Sequence, residues 1–197
     1  MTPRPRKVTD DEVFAAAIRV MERVGPSQLT LTDIAAEAGV TAGALVQRFG
    51  SKRDLLVTMS AGLAEWTERM FEELRAAHRS PLAALRAYVL HFASMSESPG
   101  GLAHHLAYLQ SDLSDPGMFA HVAAQMRATR AGIRAMLADA VAGGELKRTA
   151  DIDTLARAVQ VTATGALFTW AFYREGRAGR WIWAEVEFVL RPYRRAG

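Results

Sequence analysis

Gln47 and Arg48 are adjacent residues whose side chains can each form two hydrogen bonds with a single DNA base. A glutamine amide matches the major-groove edge of adenine, and an arginine matches guanine or a backbone phosphate. Three small residues precede them and would allow close approach to thymine methyl groups: Ala42, Gly43 and Ala44. These residue types at this spacing predict contact with base edges.

Four other polar residues are candidates for contacts with the DNA backbone. Thr30, Thr32 and Lys52 carry donors that would position the protein on phosphates, and Thr41 adds a hydroxyl beside the small residues. Lys52 and Arg53 stand in the predicted first turn of a helix, where positive charge opposes the helix dipole. A nearby phosphate would offset that cost, because helix starts also bind anions through free N–H groups.

Residues 1–8 contain three basic residues, Arg4, Arg6 and Lys7, and no acidic residue. Pro3 and Pro5 favour an extended backbone in the same segment. We predict a flexible basic arm that lies along phosphates or enters the minor groove, as homeodomain arms do. The alternative is a solvated tail.

The residues around Gly39 have the pattern of two short helices joined by a tight turn. Thr30 can cap a helix over residues 31–38, with Asp33 at its third position. Gly39 permits the positive φ with which many chains leave a helix. A second helix is predicted over residues 41–48.

Packing requirements favour a helix–turn–helix motif over an ordinary helical hairpin, which is the alternative. Ala35 is small where two steeply crossing helices come closest, and Leu45 lies on the face that would meet the preceding helix. Ser51 can then cap a third helix, with Asp54 at its third position. Together with the exposed polar residues, these features predict a DNA-binding domain.

Residues about 9 to 57 resemble the N-terminal domain of TetR-family transcriptional repressors. The matching positions are Thr30, Ile34-Ala35, Ala38-Gly39-Val40, Thr41, Phe49, Ser51-Lys52 and Leu55-Leu56. The resemblance implies an all-α protein with a small three-helix DNA-binding domain, followed by a larger helical ligand-binding and dimerisation domain. It also implies a homodimer in which the last two long helices form a four-helix interface with their mates.

The predicted recognition helix departs from the family pattern. The family usually has Thr-Leu-Tyr followed by an aromatic residue or histidine, whereas this chain has Ala44-Leu45-Val46-Gln47. Hydroxyl groups that usually bind phosphate are therefore missing. We expect Lys52, Arg48 and the basic arm to supply more of the affinity.

Composition is compatible with this class of protein. Half of the 197 residues are hydrophobic (50%), which is enough for a substantial core, and the net charge is a modest +3. The absence of cysteine excludes disulfides and thiolate metal sites. Neither a secretory signal nor an apolar segment of membrane length is visible, so we expect a cytoplasmic location.

Helical periodicity continues along the rest of the chain. A first helix begins at Thr9, with Phe14, Ala17, Ile18 and Met21 on one stripe. A helix of about six turns is predicted from Asp54 onward, and later helices follow Ser80-Pro81, run from Met118 to near Gly143, and span about 152–174 and 181–194. We divide the chain into residues 1–53, the arm and helix–turn–helix domain, and residues 54–197, the ligand-binding and dimerisation domain.

The helix predicted over residues 152–174 mixes small and large residues. Gly165 costs helix propensity of about 1 kcal/mol relative to alanine, and close approach of another helix would compensate for it. Packing within one subunit is the alternative. Dimerisation has a separate advantage, because a two-fold dimer presents two recognition helices to DNA.

The middle of the chain is rich in methionine and aromatic residues. Such side chains suit a cavity that binds an apolar or aromatic molecule, although each residue alone could be ordinary core. The predicted ligand-binding residues are Trp66, Met70, Tyr88, Phe92, Met95, His105, Tyr108 and Met126.

Enzyme motifs are missing from the sequence, which has no G-x-S-x-G, H-E-x-x-H or C-x-x-C pattern. His104 and His105 are adjacent and therefore about 100° apart on a helix, which is poorly suited to sharing one metal ion. We expect no catalysis, metal or cofactor.

The predicted function is a homodimeric, sequence-specific DNA-binding transcriptional regulator. More specifically, we expect a repressor that a small apolar or aromatic ligand releases from its operator. The alternative is an architectural or protein-interaction member of the same fold without small-molecule control.

Overall fold

The computed structural model describes residues 8–94, 103, 110 and 113–195. These residues are helical and contain no strand, which confirms the predicted all-α fold. In chain order, the helices are α1 (Asp10–Val24), α2 (Leu31–Ala38), α3 (Ala42–Phe49), α4 (Lys52–Ala61), α5 (Leu63–Ala77), α6 (Pro81–Ser94), α7 (Pro116–Ala142), α8 (Ile152–Tyr173) and α9 (Ala178–Leu190). A 3₁₀ turn, Arg191–Tyr193, follows α9.

The chain forms two compact units. The first comprises Met1–Gly62 with Ala103–His121, and the second comprises Leu63–Leu102 with Val122–Gly197. All of α4 belongs to the first unit, whereas the sequence-based division began the second domain at residue 54.

The first unit is built on successive contacts of α1 with α2, α2 with α3, and α3 with α4. Thr9 and Glu12 form a reciprocal capping box at the start of α1, as their spacing predicts. The buried core comprises Val13, Ala17, Val20, Leu29, Ile34, Ala35, Leu45, Leu55, Leu56 and Met118.

The buried face of α1 differs from the predicted stripe. Its fully buried residues are Val13, Ala16, Ala17 and Val20. Ile18 is 44% exposed, so its predicted core position is wrong. The buried side chains are small, which lets α1 approach α2 closely, while the larger Phe14 and Met21 lie partly buried beside that face.

The prediction of one helix of about six turns from Asp54 onward is also wrong. Helix α4 ends at Ala61, and the N–H of Gly62 donates to the carbonyl of Ser60 instead of continuing the α-helical ladder. The Ser60 hydroxyl also donates to the carbonyl of Leu56 at 2.8 Å, an arrangement that bends helices. The low helix propensity of Gly62, together with the Ser60 hydrogen bond, accounts for the break before α5.

The second unit places α9 against α8 and α6, and α5 against α6. Helix α7 contributes buried Ile133, Met136, Leu137 and Ala140. Close packing of α5 on α7 depends on Gly132, since a Cβ there would lie 2.2 Å from the Phe71 ring.

The chain after α7 pairs with the C-terminal segment. Lys147 donates its N–H to the carbonyl of Tyr193 at 2.8 Å, and Arg195 donates to that of Glu145 at 3.2 Å. Within the described ranges, no helix has the length and apolar character needed to cross a membrane.

Candidate nucleic-acid interface

The turn between α2 and α3 has the geometry that the sequence predicts. The Thr30 hydroxyl caps α2 by accepting from the Asp33 N–H at 3.1 Å. Gly39 ends the helix in the left-handed conformation with φ of 71°, and Val40 donates its N–H to the Ala35 carbonyl at 2.9 Å. The small Ala35 is buried at this turn, as expected for closely crossing helices.

Helix α3 presents a polar and small-residue surface opposite its buried Leu45. Gly43, Ala44 and Gln47 are exposed, and a Cβ added to Gly43 would have no heavy atom within 4 Å. Ala42 is half-buried. The exposed backbone at Gly43 leaves room for α3 to approach the edges of base pairs closely.

Val46 is an exposed apolar residue that the predicted site omits. It is 51% exposed on α3, next to Gln47. Sequence periodicity does not predict that Val46 is exposed, since a valine in a helix is usually assigned to the core. Its methyl groups can contact a thymine methyl in the way proposed for Ala44.

The threonine hydroxyls differ in their free hydrogen-bonding capacity. Thr30 donates its single hydroxyl proton to the Asp33 carboxylate at 2.5 Å, so this hydroxyl has no proton left for a phosphate. Thr41 accepts from the Ala44 N–H at 3.1 Å and keeps its own proton available. Thr32 is exposed on the first turn of α2.

Arg48 is held against the start of α1. Its Nη1 donates to the carbonyl of Val8 at 2.7 Å, and its Nη2 pairs with Asp10. Its guanidinium also lies 5.3 Å from the centre of the Phe49 ring. A guanine or phosphate contact by Arg48 therefore requires exchange of these intramolecular contacts.

Lys52 points its ammonium group at the loop before α2. Nζ donates to the carbonyl of Leu29 at 2.9 Å and to that of Pro26 at 3.5 Å. These carbonyls supply the negative partial charge beside Lys52 that a phosphate was expected to supply. Binding to DNA through Lys52 would compete with this structural contact.

Arg53 forms a two-pronged ion pair with Asp115. Nε and Nη2 lie 2.5 Å and 2.8 Å from the two carboxylate oxygens. Hydrogen bonding from Arg53 is the largest factor that lowers the pKa of Asp115 below its ordinary value of 3.8. Asp115 also accepts from the N–H groups of Gly117 and Met118, so one carboxylate joins the first turn of α4 to the start of α7.

Two further ion pairs hold α2 to α1. Glu37 lies 2.7 Å from Arg19 and 3.4 Å from Arg23. Hydrogen bonding from Arg19 is the largest factor lowering the pKa of Glu37. Glu37 thus links the helix–turn–helix motif to α1 through Arg19 and Arg23.

The predicted basic arm, with Arg4, Arg6 and Lys7, lies outside the described residues.

The predicted ligand-binding residues are only partly brought together. Trp66 of α5 lies 6.1 Å from the His91 ring, and the Tyr88 ring lies between Phe71 at 4.6 Å and Phe92 at 6.4 Å. Burial raises the pKa of Tyr88 to about 12. Met95, His105 and Tyr108 lie outside the described residues.

The remaining predicted ligand residues vary in burial. Met70 is half-buried on α5. Met126 is 48% exposed, and its carbonyl accepts from the Gln160 amide at 3.0 Å. Its position on α7 therefore gives it a contact with α8.

Within the described ranges, histidine and carboxylate side chains form no group of three that could hold a metal ion.

A capped helix–turn–helix with an exposed polar second helix defines the first unit as a DNA-binding domain. Residues 13–59 match the family model described as "Bacterial regulatory proteins, tetR family". The matched residues run from α1 into α4 and include the whole helix–turn–helix. The resemblance found in the sequence is confirmed. Comparison with curated protein sequences finds no match.

Solved structures extend the similarity to the whole fold. SmeT, the repressor of the Stenotrophomonas maltophilia multidrug efflux pump SmeDEF, is 22% identical, with a TM-score of 0.68 over 97% of this chain and 93% of its own. The SmeT–triclosan complex is 21% identical, with a TM-score of 0.70 over 97% and 94%. A TetR transcription regulator from Haloarcula marismortui is 16% identical, with a TM-score of 0.75 over 94% and 98%. At these identities the similarity establishes the fold.

Proposed function

We propose that this protein is a homodimeric transcriptional repressor that a small apolar or aromatic ligand releases from its operator. The observation that carries the DNA-binding part is the exposed surface of α3, where Gly43 and Gln47 lie one turn apart opposite buried Leu45. Gln47 would bind adenine, and Ala44 with Val46 would contact thymine methyl groups. Thr41 and Thr32 would donate to phosphates.

The proposed roles of the two cations follow from their structural contacts. Lys52 and Arg48 would support the domain in the free protein and contact phosphates only after exchanging their carbonyl and carboxylate partners. Thr30 would contribute to DNA binding through its backbone and not its side chain, because its hydroxyl proton is already donated to Asp33. Val46 enters the proposed contact set in addition to the residues expected from sequence.

Exposed apolar residues on α8 and α9 support a homodimer. Val161, Phe168 and Phe172 share one face of α8, and Phe172 is 79% exposed. Phe188 of α9 is also exposed, and Gly165 has open space around its missing side chain. Soluble monomers seldom expose so many large apolar groups together, whereas a second copy would cover them.

Two observations support ligand control. Aromatic residues of α5 and α6 form a cluster around Tyr88, and the similar protein SmeT is known in a complex with triclosan. In the alternative function, the protein binds DNA without small-molecule control. The tight contact of Phe71 with Gly132 favours that alternative, because it fills the space between α5 and α7.

Selection from a random duplex library tests the DNA-binding proposal. We expect enrichment of a palindromic site whose half-sites lie about one or two helical turns apart. Gln47→Ala should relax the preference at one base position in each half-site and cost about 1–3 kcal/mol on the selected operator. Enrichment of sites without symmetry, or equal loss on random DNA, would contradict the proposal.

Ligand release needs its own measurement. Fluorescence anisotropy of labelled operator, titrated with triclosan and with a panel of apolar aromatic compounds, should show release by at least one compound. A protein that binds such a compound yet keeps the operator at every concentration would favour the alternative without ligand control.

A further inference from the structure

A groove between α7 and α8 in the second unit is lined by four arginines: Arg127, Arg130, Arg134 and Arg157. The groove encloses about 420 Å³, within the usual size range of small-molecule sites. None of these arginines was assigned a role from the sequence. Ala131 and Ala156 also line the groove.

Positive charge exceeds negative charge in this groove. Asp153 lines it and pairs with the Nε of Arg134 at 2.5 Å. Asp151 lies close enough to Arg157 for the two charges to attract. Asp153 in the groove and Asp151 near it therefore offset only two of the four guanidinium charges, and the unbalanced cations repel one another.

Much of the donor capacity of these arginines is unused. Arg130 donates only its Nε to the Gln160 amide oxygen, at 3.0 Å, and Arg134 likewise uses its Nε for Asp153. Their terminal nitrogens remain available. Arg127 has no hydrogen-bond partner among the described residues, although it shares one face of α7 with Arg130 and Arg134.

We propose that this groove binds a phosphate group carried by a small molecule. Guanidinium groups bind phosphate oxygens in pairs, and a doubly charged phosphate matches the excess charge better than a single carboxylate. The start of α8 adds little, because the Thr154 N–H already donates to Asp151 at 3.2 Å. The arginines would therefore supply the affinity, independently of whether an apolar effector binds elsewhere.

Isothermal titration calorimetry of the full chain with sodium pyrophosphate tests this site, at ionic strength held constant with sodium chloride. Arg127→Gln and Arg157→Gln should each weaken pyrophosphate binding about tenfold. Arg148→Gln, an exposed arginine outside the groove, is the matched control and should leave binding unchanged. Arg127→Gln breaks no described hydrogen bond, so its effect is separable from misfolding.

Three outcomes would overturn the proposal. Binding that is equal in wild type and both groove variants would place the anion elsewhere. Binding of a random 20-base-pair duplex, but not of pyrophosphate, through the same arginines would make the groove a DNA contact. Loss of dimer in sedimentation velocity for Arg127→Gln and Arg157→Gln, without a pyrophosphate effect, would assign the arginines to a subunit interface.

Discussion

Lys52 and Arg53 both place a positive charge in the first turn of α4, where the helix dipole disfavours cations. Each charge has an intramolecular partner: Lys52 donates to the Leu29 carbonyl, and Arg53 pairs with Asp115. At the scale of single residues, these contacts explain the cations without a bound phosphate. Any DNA contact by Lys52 is then an additional role.

Replacing Lys52 tests its structural role. Lys52→Met keeps the aliphatic stem but removes the donor to Leu29 and Pro26, and should lower the free energy of unfolding by about 1 kcal/mol. Urea unfolding measures the change. Gln47→Ala, at an exposed site on α3, is the control and should stay within about 0.5 kcal/mol of wild type. Unchanged stability in Lys52→Met, with weaker binding to all DNA sequences, would show that Lys52 serves phosphate instead.

Asp115 should make the stability of the first unit depend on acid pH. Its pKa in the folded protein is lowered, chiefly by Arg53, so its contribution is present above pH 3.8 and is lost as pH falls through the lower folded value. Asp115→Asn keeps an oxygen for the Gly117 N–H but removes the charge. Thermal melts between about pH 5 and pH 2.5 should show a shallower decline for this variant than for wild type.

Arg53→Gln provides the complementary measurement. It leaves Asp115 in place but removes the main cause of its lowered pKa, and it should flatten the same pH dependence. A decline as steep as that of wild type in both variants would assign the acid sensitivity to other carboxylates.

At the scale of elements, Gly39 and Gly43 are both small residues of the helix–turn–helix but meet different requirements. Gly39→Ala should cost about 1–2 kcal/mol in unfolding free energy, because φ is 71° and a Cβ is disfavoured there. Gly43→Ala should raise stability by about 0.5–1 kcal/mol through helix propensity. It should nevertheless weaken operator binding in an anisotropy titration, since its new methyl group lies on the proposed DNA surface.

The pair of glycine variants separates folding from binding. A Gly43→Ala protein that is more stable and binds operator as tightly as wild type would remove α3 from the DNA contact at that position. Gly39→Ala with unchanged stability would contradict the strain expected at a left-handed residue.

At the scale of the whole molecule, Gly132 and Gly165 distinguish internal packing from subunit packing. Gly132→Ala should lower stability by about 1–3 kcal/mol, because its Cβ would overlap the Phe71 ring. Gly165→Ala has open space and should not destabilise one subunit. If the α8 and α9 surface is the dimer interface, Gly165→Ala should instead weaken dimerisation in sedimentation velocity.

Protein concentration is the necessary control for this comparison, because dimerisation contributes to apparent stability. Unfolding at several concentrations separates the two effects. A concentration-independent loss for Gly165→Ala would place that glycine in a subunit core.

Features that depend on neighbouring residues were predictable from the sequence. The helix starts at Thr9, Thr30 and Ser51 were located because a cap and its partner lie three residues apart. The left-handed Gly39 followed from the same local rules. The break at Gly62 was missed because the apolar stripe continues past it.

The sequence by itself determined the helical class, the helix–turn–helix and its capped boundaries, since hydrogen bonds and backbone angles of this kind involve residues within one turn. Only the tertiary structure decided which face of α1 is buried and which partners hold the cations. Arg48, Lys52 and Arg53 bond to residues 40, 23 and 62 positions away, respectively. Spacing along the chain carries no information about such distant partners, because packing of separate helices brings them together.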